Sequence, residues 1–356
     1  MNNIKKLYIL GAALIVVVVV ILIGEQLGSK KPLAKTAAFF PGFTEAACSA
    51  FQFADDKDTV KVTRTGDMWT VKKVTSAAKA GADAEAIPAI AEESEEEKEQ
   101  PAAPSETPEY LADSSSVHTA IEKLSIMKRD ILVSQNPQKQ ETFEVDSAHG
   151  VLVEVWDRKG KSLGKVRVGK NGPDWSSNYV RSIGSDDVWA ASGSIKHAFF
   201  TDIKRWRDKS IVKFDPSKAK QITIASKDTS SGKVSTVTIE KSLDTASNAV
   251  WTITAPEQAK AKPDVVDKLV EKLSQFKTSD WEEDEVSDSA LGFGNPLLVA
   301  TVMLENGDTH TITVGNKQKT GGKLYVRAEG KDEIFRVYDS AIRDFNKKLP
   351  ELKAGE

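Results

Sequence analysis

Two short patterns carry the residue types that could do chemistry: Tyr179-Val180-Arg181 and Tyr325-Val326-Arg327. On a strand, residues i and i+2 share one face, so each Tyr and Arg lie together while the Val lies on the other side. A phenol ring beside a guanidinium fork can stack on and grip an anionic or sugar ligand. The same spacing equally suits folding, with Val in the core and Arg paired to a carboxylate. Tyr179, Arg181, Tyr325 and Arg327 are therefore the candidate ligand-binding residues, with no catalytic and no metal-binding residue beside them.

Other chemical patterns fail on spacing. Gly315 to Lys323 reads GNKQKTGGK, but six residues rather than four separate Gly315 from Gly322-Lys323. Leu324 then stands where a P-loop needs Ser or Thr for magnesium, so a lysine-rich turn between strands is expected. Gly292-Phe293-Gly294 lacks the third glycine of a dinucleotide fingerprint, and neither G-x-S-x-G nor H-E-x-x-H occurs. The acidic run Asp280 to Asp288 lacks the alternating ligands and central glycine of a calcium loop, and reads as solvated loop. His118, His149, His197 and His310 are scattered, and a structural or surface role is expected for each. Trp69 and Trp251 read as core, while Trp175, in Gly-Pro-Asp-Trp-Ser-Ser-Asn, reads as an exposed loop residue. No cofactor is implied.

The elements that must position these residues come in duplicate. Residues 151–200 align with 297–346 without a gap at an offset of 146, with eleven identities in fifty positions. The identities include Gly169/Gly315, Gly184/Gly330, Asp186/Asp332, Ser194/Ser340 and Phe199/Phe345. Each copy predicts an alternating strand (Val60 to Arg64, Ser235 to Ile239), a strand holding a Trp, and then an amphipathic helix. In copy two the helix starts after Pro263, with Asp264 in the first turn, and buries Val265, Val266, Leu269, Val270, Leu273 and Phe276. In copy one its apolar face is Val117, Ile121, Leu124 and Met127, with Ser114, Ser115 and Ser116 as N-cap candidates. Hairpins follow, one turning at Asn306-Gly307 and the other at Lys159-Gly160. A short helix from Ser194 or Ser340 closes each copy.

The expected fold class is α+β: an N-terminal transmembrane helix, then two tandem repeats of an antiparallel sheet covered by a helix. The expected divisions are a cytoplasmic tail at 1–6, the membrane helix at 7–24 and a juxtamembrane linker at 25–38. Repeat unit 1 is placed at 39–204, repeat unit 2 at 205–350, and a tail at 351–356. Unit 1 carries an Ala/Glu/Pro-rich insert at 76–113, read as a disordered acidic loop.

Charge and hydropathy bound the partners. The net charge of −3 divides into −9 over residues 76–113, +4 over residues 1–35 and +2 over the rest. A near-neutral body excludes a nucleic-acid binder, which needs a dense basic face. Cys48 is the sole cysteine, which excludes an internal disulfide and a Cys-based zinc site. Residues 7–24 run without a charge and would span about 27 Å as a helix, close to a bilayer core. The run ends Ile23-Gly24-Glu25-Gln26, a poor cleavage site, so an uncleaved anchor in the lipid bilayer is expected rather than a signal peptide. Lys5 and Lys6 favour a cytoplasmic N-terminus with the C-terminal part outside.

The order Phe40-Pro41-Gly42, Trp69-Thr70-Val71, helix, Val168-Gly169, Tyr179-Val180-Arg181 and Trp206-Arg207-Asp208-Lys209 resembles domain-of-unknown-function family 4340. The resemblance covers roughly 39–350, and the marks are structural rather than catalytic. It implies a bacterial single-pass envelope protein of the inner membrane with its C-terminal part periplasmic. Some members of that type are associated with gliding-motility or ABC-transporter auxiliary components. The expected function is a membrane-anchored, non-enzymatic binding or scaffold protein, accessory to a transporter or envelope complex. A glycan or small-anion binding module is the alternative, and an envelope hydrolase with an unrecognised carboxylate pair the third reading.

Overall fold

The computed structural model describes residues 37–74, 107–243 and 249–355. The chain divides into two compact units between Arg207 and Asp208. Unit 1 contains strands β1 (Cys48–Ala54), β2 (Thr59–Thr65), β3 (Met68–Lys73), β4 (Glu109–Leu111), β5 (Ile131–Ser134), β6 (Val151–Asp157), β7 (Ser162–Asn171), β8 (Ser177–Ser182) and β9 (Val188–Ser192). They form one antiparallel sheet in the order β4-β3-β2-β1-β6-β7-β8-β9-β5. Helix α1 (Ser114–Ile126) joins the two outermost strands.

Unit 2 repeats this plan. Its strands are β10 (Ala219–Lys227), β11 (Val234–Leu243), β12 (Ala249–Ala255), β13 (Ala259–Lys260), β14 (Asp280–Glu282), β15 (Leu298–Leu304), β16 (Thr309–Lys317), β17 (Leu324–Ala328) and β18 (Ile334–Val337). The order is β13-β12-β11-β10-β15-β16-β17-β18-β14, with helix α2 (Pro263–Ser274) between β13 and β14.

The expected α+β class is corrected by this architecture. The chain is mostly two antiparallel β-sheets with a few short helices, and α1, at 13 residues, is the longest helix among the described residues. No helix among those residues is long and apolar enough to cross a membrane. Residues 7–24, expected as the transmembrane helix, lie outside the described residues.

Three smaller expectations also change. Each unit opens one strand earlier than the pattern suggested, with β1 and β10 in the middle of the sheets. Both carry a register shift near their start, at Cys48/Ala50 and Ala219/Gln221, which breaks the simple alternation. The expected insert is structured at its C-terminal end: β4 pairs with β3, Val71 opposite Tyr110. Asp113, not a serine, caps α1, its carboxylate accepting from the Ser116 N–H at 2.8 Å.

Each unit has its own core. In unit 1, Val117, Ala120, Ile121 and Leu124 of α1 bury against Phe51, Phe53, Val60, Val62 and Val153 of the sheet. Phe53 stacks between Phe199 and Trp206, with ring centroids 4.8 and 5.3 Å away. In unit 2, Val266, Leu269, Val270 and Leu273 of α2 meet Ile222, Ile224, Ile253 and Val302. The central strand thus contributes aromatic side chains to the core of unit 1, Phe51 and Phe53, and aliphatic ones to that of unit 2, Ile222 and Ile224.

The ends of each unit are tied to its helix. The Phe39 N–H donates to the Met127 carbonyl just past the C-terminus of α1, and the Asp113 N–H at its N-cap donates to the Trp206 carbonyl. In unit 2 the matching bonds run from Ile211 to the Phe276 carbonyl and from Lys262 to the Leu352 carbonyl.

Candidate functional site

The Tyr-Val-Arg strands are β8 and β17, each paired on one side to the strand that carries Val-Gly, β7 or β16. Val180 and Val326 are fully buried, as alternation requires. The opposite face is covered by the segment between β5 and β6 in unit 1 and between β14 and β15 in unit 2, and the duplicated strands hold that segment down.

In unit 1, Arg181 is only 5% exposed. Its Nε donates to the Val145 carbonyl at 3.1 Å, and an Nη donates to the Ser185 carbonyl at 3.2 Å. Arg167, directly opposite on β7, donates to the Gly150 carbonyl at 3.3 Å. The Tyr179 ring meets Phe143 with centroids 4.7 Å apart. The loop passes so close that a Cβ on Gly169 would lie 2.1 Å from the Phe143 carbonyl oxygen. That approach explains the glycine of the first Val-Gly pair.

Unit 2 uses the same device with different side chains. A Cβ on Gly315 would lie 2.0 Å from the Leu291 carbonyl oxygen. Asn316 donates through Nδ2 to the Ser289 and Ala290 carbonyls at 3.2 and 3.1 Å. Arg327 is exposed, its guanidinium 4.9 Å from the centre of the Phe293 ring. Tyr325 is 8% exposed and lines an open cleft of about 690 Å³ with Ser287, Ser289, Asn316, Lys319 and Thr320. Phe143 lies against the equivalent Tyr179 in unit 1.

The four predicted residues therefore fall into two separate pairs, one in each unit. Within a pair they share a face of the sheet. Arg181 is committed to backbone carbonyls, whereas Arg327 is exposed and Tyr325, though nearly buried, lies at the wall of the cleft. Arg167 and the reason for the two glycines escape a sequence reading, because a loop crossing over a sheet leaves no periodicity. Asn178 escapes it too. This fully buried amide donates to Asn171 Oδ1 at 2.8 Å and accepts from the Ile195 and Lys196 N–H groups, fixing the chain after β9.

The remaining candidates take the places expected of structural residues. His149 bonds Asp146 through Nδ1 at 2.9 Å, and this bond holds the imidazole above its ordinary pKa. Burial pushes Asp146 up, but the Ala148 N–H and His149 together bring it below the usual carboxylate range. His310 stacks on Phe214 at 5.1 Å. The expected solvated loop at Asp280 is instead strand β14 at its start, with Trp281 buried and Asp280 paired to Lys323 and Arg336. Burial raises the Cys48 thiol to about 12, which makes it inert. No cluster of three or more His, Cys, Asp or Glu suited to a metal ion occurs among the described residues.

Fold and surface together define a protein of two tandem, mostly antiparallel β-units whose repeated residues clasp loops to sheets. The chain belongs to the family described as a domain of unknown function, DUF4340, whose model matches residues 103–296 and again 251–354. Both matches begin a short way before a helix, α1 in one case and α2 in the other. Comparison with curated proteins and with solved structures gave no match.

Proposed function

We propose that the chain is a membrane-anchored, non-enzymatic binding or scaffold protein of a bacterial envelope, accessory to a transporter or another membrane complex. The observation that carries this reading is how the duplicated residues are used. Gly169 and Gly315 each lie under a loop carbonyl, and Arg181 spends its guanidinium on the Val145 and Ser185 carbonyls. The copies keep what folds them and differ at the surface, which suits a platform whose faces have specialised. The uncharged run at 7–24 supports an anchor in the inner membrane, with the two units on the periplasmic side.

The test is crosslinking in the native membrane followed by affinity purification of the tagged chain. Recovery of a permease or another envelope assembly is the expected result. Recovery of the chain alone would overturn the accessory role. A second reading, a polar-ligand module for a glycan or small anion, draws on the cleft beside Tyr325 and on the exposed Arg327. Under that reading, Arg327→Ala, a change at an exposed side chain, abolishes ligand binding without lowering thermal stability.

A further inference from the structure

The two copies serve as controls for each other, and one corner of unit 1 departs from its counterpart. Trp175, at the tip of the β7–β8 hairpin, is 75% exposed and adopts φ of +60°. The equivalent residue in unit 2 is Gly321, at φ of +86°. The turn thus needs a left-handed residue in both units, and unit 2 fills it with glycine, which adopts that conformation without steric cost. Tryptophan there costs about 1–2 kcal/mol of backbone strain and hides little of its ring, so folding alone does not account for it.

The rest of the corner shows the same shift in character. Ile131 is 66% exposed, and its partner by sheet register in unit 2 is Asp280, paired to Arg336 and Lys323. Ile126 and Leu132 are exposed as well. Ile126 and the turn that carries Trp175 meet at Gly193. Its N–H donates to the Ser176 carbonyl, next to Trp175, at 2.7 Å, and a Cβ on it would meet Ile126 Cδ1 at 2.7 Å. The neighbouring Ser192 N–H donates to the carboxylate of Asp130, beside Ile131, at 2.8 Å.

The chain joins the body at this corner. The Ala37 carbonyl accepts from the Arg129 N–H at 2.9 Å, two residues before Ile131. Ahead of Ala37 stand 36 residues that include the uncharged run at 7–24. Twelve residues (25–36) separate that run from Ala37 and reach at most about 40 Å fully extended.

We infer that the corner formed by Ile126, Ile131 and Trp175 rests on the surface of the bilayer, with the Trp175 indole at the level of the lipid headgroups. This rests on the anchored reading above. Tryptophan favours that depth because its ring is apolar and its N–H needs a polar partner. Contact at headgroup level also leaves beside water the edge of β5 that pairs with no strand among the described residues, as its backbone groups require. A protein seated on this corner is the competing occupant.

The test is fluorescence of the full chain in phosphatidylcholine vesicles, with and without bromine on the acyl chains near the headgroup. None of the seven tryptophans lies in residues 1–36, so quenching by the lipid reports on the body of the protein. Trp175→Gly is the control, since glycine suits the left-handed turn. The expected result is that bromine quenches the wild type and that Trp175→Gly loses most of this quenching. Equal quenching of the two chains, or none in either, would overturn the inference. Flotation of the same vesicles separates the two readings: a chain that floats with no Trp175-dependent quenching keeps its anchor and lacks the contact. A chain that does not float lacks the anchor itself.

Discussion

At the scale of single residues, the repeated marks act on backbone rather than on a ligand, and substitutions should show it. Replacing Arg181 with Met leaves the Val145 and Ser185 carbonyls without this donor. Its expected cost is about 2–3 kcal/mol, read as a lower midpoint in a denaturant titration. Ala at Gly169 or Gly315 forces a Cβ against a backbone oxygen that cannot swing aside. The expected loss there is at least about 2 kcal/mol, with the loop displaced from the sheet. The His149–Asp146 pair gives a pH-dependent signal. Because the folded protein raises the His149 pKa, the pair's stabilisation is present below the ordinary value of 6.5 and fades as pH climbs through the raised value. Proton NMR of the imidazole should place its midpoint above 6.5, and Asp146→Asn should bring it back down.

At the scale of elements, α1 offers a clean test, because Asp113 alone supplies its side-chain cap. Asp113→Ala should cost about 1 kcal/mol, visible as a small drop in thermal midpoint. The helices themselves were legible in the sequence. Val117, Ile121, Leu124 and Met127, like Val265 through Phe276, repeat at helical spacing, and all of the predicted positions are buried except Val265, which is half-buried in the first turn of α2. The turns were legible for the same local reason: Gly160 and Gly307 both take positive φ. What local pattern cannot carry is β1, whose alternation is interrupted by its register shift, and β4, which lies at the end of an acidic, proline-rich stretch. Overweighting two clear helices and missing central strands produced the α+β expectation in place of a mostly β protein. The candidate pairs Tyr179/Arg181 and Tyr325/Arg327 were found as a pattern, but the loop that covers Arg181 comes from thirty-six residues away and leaves no mark on the strand.

At the scale of the whole molecule, the two cores share no residue, each drawing only on its own unit. Residues 208–356 expressed alone should therefore give a strand-rich circular dichroism spectrum and one cooperative unfolding transition. The position of the cut matters, because Trp206 is fully buried in the core of unit 1. A chain ending at 204 should lose cooperativity in that unit, whereas one ending at 207 keeps it. The bonds at the two ends of each helix give the molecule a mechanical character. Chain enters unit 1 beside the C-terminus of α1 and leaves beside its N-terminus, so a pull on the two ends is applied along a rod of about 20 Å. Among the bonds that carry that tension are Ala37 to Arg129 and Phe39 to Met127 at one end and Asp113 to Trp206 at the other, and Ile211 to Phe276 and Lys262 to Leu352 take the matching places in unit 2. A unit pulled by its two ends is therefore loaded along its helix, which joins the outermost strands of its sheet.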